Sequence, residues 1–238
     1  VLTESLSAQL ALVAGGSATI MTGRLPLIAR KIVAAGWSAL VLFMIPIVLV
    51  LHGAGLQKSE HLPASARERV VIWVSSARDI LRHPIVGIGA NASDVALRVG
   101  TGSPVERTPL GLTEFFHTHN AYLQIWLELG AVGVLLLLGL GLSILAQIAT
   151  LSATLQPYAA GQFAVTATLL TSSYGLWDSW VMAAVAISYL ALVLADAESL
   201  ISAATPQWKR HRALQQIGAG APGSDLVLEL EGRGPASR

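Results

Sequence analysis

Long apolar runs separated by short polar breaks dominate this chain, and their lengths predict membrane-spanning helices. A helix needs about 20 mainly apolar residues to cross the hydrocarbon core of a bilayer. Five stretches approach that length, at residues 6–21, 32–51, 127–149, 161–177 and 180–197. We therefore predict an all-α fold, a polytopic bundle of transmembrane helices.

The composition agrees with this pattern. The chain is 53% hydrophobic and only 12% charged, whereas soluble domains carry about 25% charged residues. Its formal net charge is +1, so no basic field is present to attract nucleic acid. Cysteine is absent, which excludes disulfides, thiolate catalysis and Cys-ligated metal. The values indicate a membrane protein without a nucleic-acid partner.

Two basic clusters predict the orientation in the membrane. Arg24, Arg30 and Lys31 separate the first two apolar runs, and "WKRHR" at 208–212 follows the fifth. Both clusters should be cytoplasmic, because short cytoplasmic loops are enriched in Lys and Arg. This predicts two transmembrane helices in 1–51, an extracytoplasmic loop in 52–119, three transmembrane helices in 120–197 and a cytoplasmic disordered tail in 198–238.

The long outer loop contains a predicted amphipathic helix over residues 65–82. Ser65, followed three residues later by Glu68, has the form of a capping box, and His83-Pro84 ends the run. Apolar residues recur at helical spacing over 70–81. We expect this helix to lie on the membrane surface or on the rest of the protein.

The arginines of this helix fall into two groups. Arg67, Arg78 and Arg82 cluster opposite the apolar stripe, as expected of a solvated face or of contacts with lipid phosphates. Arg69 borders the apolar face, one turn before Trp73. An arginine half-buried beside a tryptophan needs an anionic partner, and a phosphate suits its planar fork.

A second polar group stands at the start of the third apolar run, in "HTHNAYLQIWLELG". Asn120, Gln124 and Glu128 lie four residues apart and form one stripe, with His117 one turn before it. Such residues mark a substrate path or a site when they enter a span. The alternative is a helix start in which Asn120 is the cap and Glu128 pairs with a neighbouring helix.

Other residues of the same run predict its depth and its packing. Tyr122 and Trp126 stand where interfacial aromatic anchors belong, which places the stripe at the outer membrane surface. Gly130, Gly133 and Gly141 share one face and would let another helix approach closely.

A metal site is not predicted. His117 and His119 supply two candidate nitrogens, but a catalytic zinc usually has three protein ligands. No other cofactor is expected.

Two motifs on the outer loop resemble a known family. "HNAYLQIWLELGAVG" reads His119-Asn120, nine residues, then Gly130-x-x-Gly133. "RVVIWVSSARDILRHPIVGIGA" reads Arg-x-x-x-Trp followed by His-Pro-x-x-Gly-x-Gly. In this order, on one outer loop between spans, they resemble the bacterial O-antigen ligase and polymerase superfamily over residues 1–195. Members have many spans, so this chain, which begins with Val1, is expected to be the C-terminal portion of one.

The resemblance implies a membrane glycan transferase of the bacterial inner membrane with a site on its periplasmic face. The donor would be a glycan on undecaprenyl diphosphate, the acceptor a hydroxyl of a glycan, lipid A core or protein, and membrane lipids would surround the enzyme. His119 would remove the acceptor proton, and Arg69 would stabilise the leaving diphosphate, both facing one cavity. The implied substrate-binding residues are Arg67, Trp73, His117, Asn120, Gln124 and Glu128.

One departure from the family pattern leaves alternatives open. Members often read Thr-x-Ser-Arg before the first basic loop, whereas "LTESLS" places Leu6 at the arginine position. Either another cation substitutes or the chain is an inactive relative. A transporter is the remaining alternative, for which broken spans with Gly or Pro near the bilayer midplane are expected. Pro46 in the second run is the hint in that direction.

Overall fold

The computed structural model describes residues 6–93, 118–172, 177 and 179–204. All regular structure in these residues is helical, so the predicted all-α class is confirmed. A short 3-10 turn, Leu56–Lys58, joins the second helix to the third. The α-helices are α1 (Leu6–Arg24), α2 (Pro26–Gly53), α3 (Ala64–Ile80), α4 (Ala121–Ile148), α5 (Gln156–Leu169) and α6 (Ser179–Ala204).

Two helices of the described part are long and apolar enough to cross a bilayer, α2 and α4, with 28 residues each. The other expected spans are not matched in the same way. Helix α5 has 14 residues, or about 21 Å, and ends at Leu169 rather than at 177. Helix α6 continues to Ala204, past the expected start of the disordered tail at 198. The five-span topology stays a prediction.

Helices α1 and α5 cross at two glycines. A Cβ on Gly15 would lie 3.1 Å from the Gly161 carbonyl oxygen, and a Cβ on Gly161 would lie 3.0 Å from the Gly15 oxygen. Small residues allow this backbone approach, as in membrane helix pairs.

Trp37 of α2 lies at the centre of the core. Its ring packs edge-on against Tyr122 and Phe163, with centroid separations of 5.8 and 5.3 Å. Its indole N–H donates to the Leu138 carbonyl at 3.3 Å, and a Cβ on Gly141 would overlap the indole. Gly141 therefore allows close packing, as expected.

The two predicted interfacial aromatics are internal instead. Tyr122 is fully buried, and its hydroxyl donates to the Ala167 carbonyl at 2.8 Å. Trp126 is partly buried and donates to the Val41 carbonyl in the middle of α2 at 2.9 Å. Their placement as membrane-surface anchors was wrong, because a tertiary acceptor inside the bundle satisfies each polar atom.

Helix α4 is broken at Gly130, whose backbone is left-handed (φ 59°, ψ −155°). Trp37 touches both Tyr122 and Gly141, yet residues 19 positions apart in a straight helix are about 28 Å apart. The chain therefore bends back at Gly130. We call residues 121–129 the short arm and residues 131–148 the long arm. The long arm is about 27 Å long, so the span-length segment begins at residue 131 rather than at 127.

The loop of residues 84–89 fills this break. Its backbone binds the two carbonyls and the two N–H groups that would pair with each other in an unbroken helix. The four hydrogen bonds are Ile88 N to Leu127 O (3.0 Å), Gly89 N to Glu128 O (2.9 Å), Ala131 N to Pro84 O (2.9 Å) and Val132 N to Ile85 O (3.2 Å).

Two left-handed glycines make this insertion possible. A Cβ on Gly130 would lie 2.5 Å from Ile85 backbone atoms, and one on Gly87 would lie 2.6 Å from the Leu127 carbonyl oxygen. Both have a positive φ, 59° and 68°. The two glycine motifs noted in the sequence therefore pack backbone to backbone. Gly130 admits a loop rather than the neighbouring helix that was expected.

The chain divides into two compact units, residues 1–192 and 193–238. The packing described above belongs to the first unit. In the second, the described part is the end of α6, where Val193 and Leu194 are exposed.

Candidate functional site

Helix α3 confirms the helix predicted over 65–82, but its start differs from the prediction. It begins at Ala64 with Pro63 as N-cap, and no side chain caps it. The predicted capping box of Ser65 and Glu68 was wrong, because Ser65 already lies in the first turn.

Helix α3 contacts the rest of the protein on more than one of its faces. Three successive residues, Val70, Val71 and Ile72, are buried, and a helix lying on a flat surface cannot bury three in a row. Val74, Ala77 and Ile80 belong to the core that includes residues of α2 and α4. Of the two predicted environments, contact with the rest of the protein is therefore the one observed.

Trp73 joins α3 to the segment before the short arm. Its side chain is partly buried, and its indole N–H donates to the Thr118 carbonyl at 3.0 Å. The polar atom of Trp73 therefore has its acceptor in the residue before His119.

A closed turn surrounds His119. The Thr118 hydroxyl donates to the Asn120 carbonyl at 2.8 Å and accepts from the Asn120 N–H at 3.3 Å. The Asn120 side chain accepts from the Leu123 N–H at 3.0 Å and caps the short arm. The capping role that the sequence left open for Asn120 is therefore confirmed.

His119 has a left-handed backbone, with φ 50°. Such values are uncommon outside glycine, and they concentrate at functional sites, where the surroundings enforce them. The turn fixes the backbone on both sides of His119, which is partly exposed. The neighbouring Asn120 amide nitrogen is buried and has no hydrogen-bond partner among the described residues. Buried donors are nearly always paired, so this amide is a candidate ligand contact.

Arg69 lies one turn before Trp73 on α3 and is partly exposed. Its guanidinium donates to the Ser7 hydroxyl of α1 at 3.4 Å. Ser7 follows Leu6, the position where an arginine was expected. A cation from α3 therefore reaches the residue next to that position.

The other arginines of α3 differ from one another. Arg78 and Arg82 are exposed, as expected, and Arg82 pairs with Asp79 at 3.0 Å. Arg67 is partly buried, and its Nε has no hydrogen-bond partner in the described ranges. The expectation of a solvated face was wrong for Arg67.

The carboxylate of Glu128 is fully buried and accepts hydrogen bonds from three parts of the chain. Two donors bind each oxygen, which satisfies the charge without a cation. The donors to Oε1 are the Ser93 hydroxyl at 2.6 Å and the Gln124 amide at 3.0 Å, and those to Oε2 are the Asn91 N–H at 2.9 Å and the Trp177 indole at 2.5 Å.

These contacts give the polar stripe a structural role. All three residues are buried. Asn120 caps the short arm, and Glu128, which also accepts from Gln124, joins it to residues 91, 93 and 177. Ser93 and Trp177 were not identified from the sequence as partners of this stripe. The small polar residues of "GIGANAS" were the available signal for Ser93.

One predicted site residue lies outside the described residues, because His117 falls in the range 94–117. Arg69 and His119 are both described, and their common cavity stays a prediction. A cavity of about 150 Å³ is lined by apolar residues that include Trp37, Phe163 and Leu170, and neither Arg69 nor His119 lines it. Within the described ranges, no group of three or more His, Asp or Glu residues could hold a metal ion.

The chemistry available here comes from a partly exposed histidine before a helix N-terminus and from a guanidinium on α3. An imidazole can accept a proton, and a guanidinium suits a diphosphate.

Comparisons with known proteins agree with these features. The family described as O-antigen ligase matches residues 1–138, more than half of the chain. A curated protein of Rickettsia conorii, named as a candidate polysaccharide ligase, is 33% identical over 122 residues, which are 49% of this chain. The chain spans 28% of that relative's length. No solved structure matches.

Proposed function

The chain belongs to the O-antigen ligase family, and on that premise we propose that it carries the site of a membrane glycan transferase. The donor is a glycan on undecaprenyl diphosphate, and the acceptor is a hydroxyl of a glycan, lipid A core or protein. The reaction takes place at the periplasmic face of the bacterial inner membrane. The family assignment supports the reaction class, and the donor, acceptor and membrane face are parts of the proposal.

In the proposed reaction, the acceptor oxygen attacks the anomeric carbon of the donor sugar. His119 takes the proton of the attacking hydroxyl as the new glycosidic bond forms. The bond from the anomeric carbon to the diphosphate breaks, and Arg69 stabilises the charge on the departing lipid diphosphate. Direct displacement inverts the anomeric configuration.

The observation that carries this proposal is the hydrogen bond from Trp73 to the Thr118 carbonyl. Arg69 is four residues before Trp73, and helix positions with this spacing are about 6 Å apart. His119 is the residue after Thr118. This contact supports the proposal, because it joins the helix that carries Arg69 to the residue next to His119.

The remaining candidates surround this pair. Arg67, Trp73 and His117 are proposed donor contacts, and the unpaired amide of Asn120 is proposed to bind a sugar hydroxyl. Gln124 and Glu128 keep their place in the surrounding shell, where they act by holding the short arm.

A transporter is the second candidate, because α4 is a helix broken at a glycine. Backbone groups left open at such a break could bind a substrate. Here, however, the loop of residues 84–89 occupies the four groups at Gly130. The break is therefore a packed joint, which favours the transferase.

The test is transfer by the full protein, measured with purified lipid-linked donor and acceptor. His119→Ala should abolish transfer while the protein remains folded and inserted, because a partly exposed residue contributes little packing. His61→Ala is the matched control, since His61 is an exposed histidine of the same outer loop. Undiminished transfer by His119→Ala would contradict the proposal and leave transport or an inactive relative.

A further inference from the structure

Residues 81–86 form an exposed segment directly after α3. All six side chains are exposed, although three of them, Leu81, Ile85 and Val86, are large and apolar. Ile85 and Val86 are 68% and 70% exposed. Exposed aliphatic residues that cluster in this way mark a contact surface.

The long arm continues this surface. Val132, Leu135 and Leu136 are exposed at its start, and the hydrogen bond from Val132 N to Ile85 O holds the loop against it. The loop and the first turns of a span-length helix therefore share one apolar surface. We call it the apolar ridge, and its residues are Leu81, Ile85, Val86, Val132, Leu135 and Leu136.

Part of the ridge-loop backbone is suited to a hydrocarbon environment. Non-helical backbone is tolerated in a bilayer only where its polar groups are satisfied. Five such groups have protein partners, namely Pro84 O, Ile85 O, Gly87 N, Ile88 N and Gly89 N. The N–H groups of Ile85 and Val86 have no backbone partner among the described residues, so the backbone of the tip must lie near the polar boundary of the bilayer while the side chains insert.

Charge is arranged at one end of the ridge loop. Arg82 and His83, both exposed, lie between Leu81 and Pro84, and Arg82 also contacts Asp79. Residues 84–86 beyond them carry no charge. Cationic side chains beside an aliphatic tip match the boundary between lipid phosphates and acyl chains.

We propose that the apolar ridge is embedded in the acyl chains of the bilayer, with Ile85 and Val86 inserted beside the long arm. Two observations favour lipid over a protein partner: the ridge is continuous with a span-length helix, and cationic side chains flank its loop. The inference does not depend on glycan transfer. Its consequence is that the loop that fixes the short arm is held at one depth in the membrane.

The absence of cysteine from this chain allows a direct test. Val86→Cys is labelled with the fluorophore NBD, and the full protein is reconstituted into phosphatidylethanolamine–phosphatidylglycerol vesicles. Quenching is measured with nitroxide on the lipid acyl chains and, separately, with aqueous iodide. Leu136→Cys on the long arm and Glu60→Cys, an exposed position of the same outer loop, are the matched controls.

The label at Val86 should be quenched by acyl-chain nitroxide as strongly as the label at Leu136, and several-fold more strongly than the label at Glu60. Iodide should show the reverse order. Quenching of the Val86 label like that of Glu60 would overturn the proposal. Protection of the Val86 label from both quenchers would also overturn it, because a protein partner would then cover the ridge.

Discussion

Gly87 and Gly130 meet backbone to backbone, so closely that a Cβ on Gly130 would lie 2.7 Å from the Gly87 nitrogen. Gly130→Ala should therefore destabilise the protein. The left-handed backbone alone costs about 1–3 kcal/mol for a residue with a side chain, and the overlap adds to it. We expect a lower unfolding temperature in detergent than for the unmodified protein.

Gly139→Ala is the control for this substitution. A Cβ on Gly139 has no neighbour within 4 Å, and alanine is favoured over glycine inside a helix. Equal unfolding temperatures for both variants would show that packing of the loop of residues 84–89 into the break does not stabilise the protein.

Replacing Glu128 by Gln should destabilise the packing between the short arm and the residues that bind Glu128. Each carboxylate oxygen accepts two hydrogen bonds, whereas a glutamine amide offers one accepting oxygen and brings N–H groups against existing donors. Buried donors left unpaired cost about 1–3 kcal/mol each. Glu128→Gln should therefore lower the unfolding temperature and increase proteolysis in residues 84–93.

Glu60→Gln, at an exposed position, should change neither measurement. The same variants also test whether Glu128 binds substrate. A raised KM with an unchanged unfolding temperature in Glu128→Gln would favour substrate contact over structural support.

Arg69→Lys should lower transfer at least about tenfold, or ~1.4 kcal/mol, because an ammonium cannot reproduce the two-pronged contact of a guanidinium. Arg78→Lys is the matched control, as Arg78 is exposed on the same helix. Equal activity of both variants in the donor–acceptor assay would remove Arg69 from the site.

The contact of Arg69 with Ser7 suggests a double variant in which the arginine is moved from position 69 to position 6. Arg69→Leu should lose activity, and adding Leu6→Arg should restore part of it, because an arginine at position 6 would stand next to Ser7, which the Arg69 guanidinium contacts. A double variant as inactive as Arg69→Leu would show that a cation at position 6 cannot replace Arg69.

Orientation is tested by impermeant thiol labelling of intact inner-membrane vesicles. Glu60→Cys and Ser202→Cys should react from opposite sides, since the basic clusters predict that residue 60 is periplasmic and residue 202 cytoplasmic. Labelling of both from one side would contradict the predicted topology.

Local patterns in the sequence predicted α3 and the cap at Asn120 well. Helical spacing of apolar residues defined α3 to within two residues at each end, and a polar residue before a periodic run marked the cap. The bounds of α3 and the cap at Asn120 both depend on interactions between residues close in the chain, so a local sequence pattern is enough to predict them.

The break at Gly130 could not be predicted in the same way. The stretch from Leu127 to Ala149 contains no proline, and single glycines are tolerated inside helices. What opens the helix is a loop about forty residues earlier in the chain. The stripe of Asn120, Gln124 and Glu128 was ambiguous for a related reason, because buried support and substrate contact require the same polar residues.

The bend at Gly130 also constrains the order of assembly during biosynthesis. The long arm can enter the membrane as an independent helix, since its own hydrogen bonds satisfy its backbone. The short arm cannot reach its final position until the segment around Gly87, which is synthesised earlier, packs into the break. We therefore expect the joint between the short arm and the loop of residues 84–89 to form last, after membrane insertion is complete, as a separate and slower maturation step.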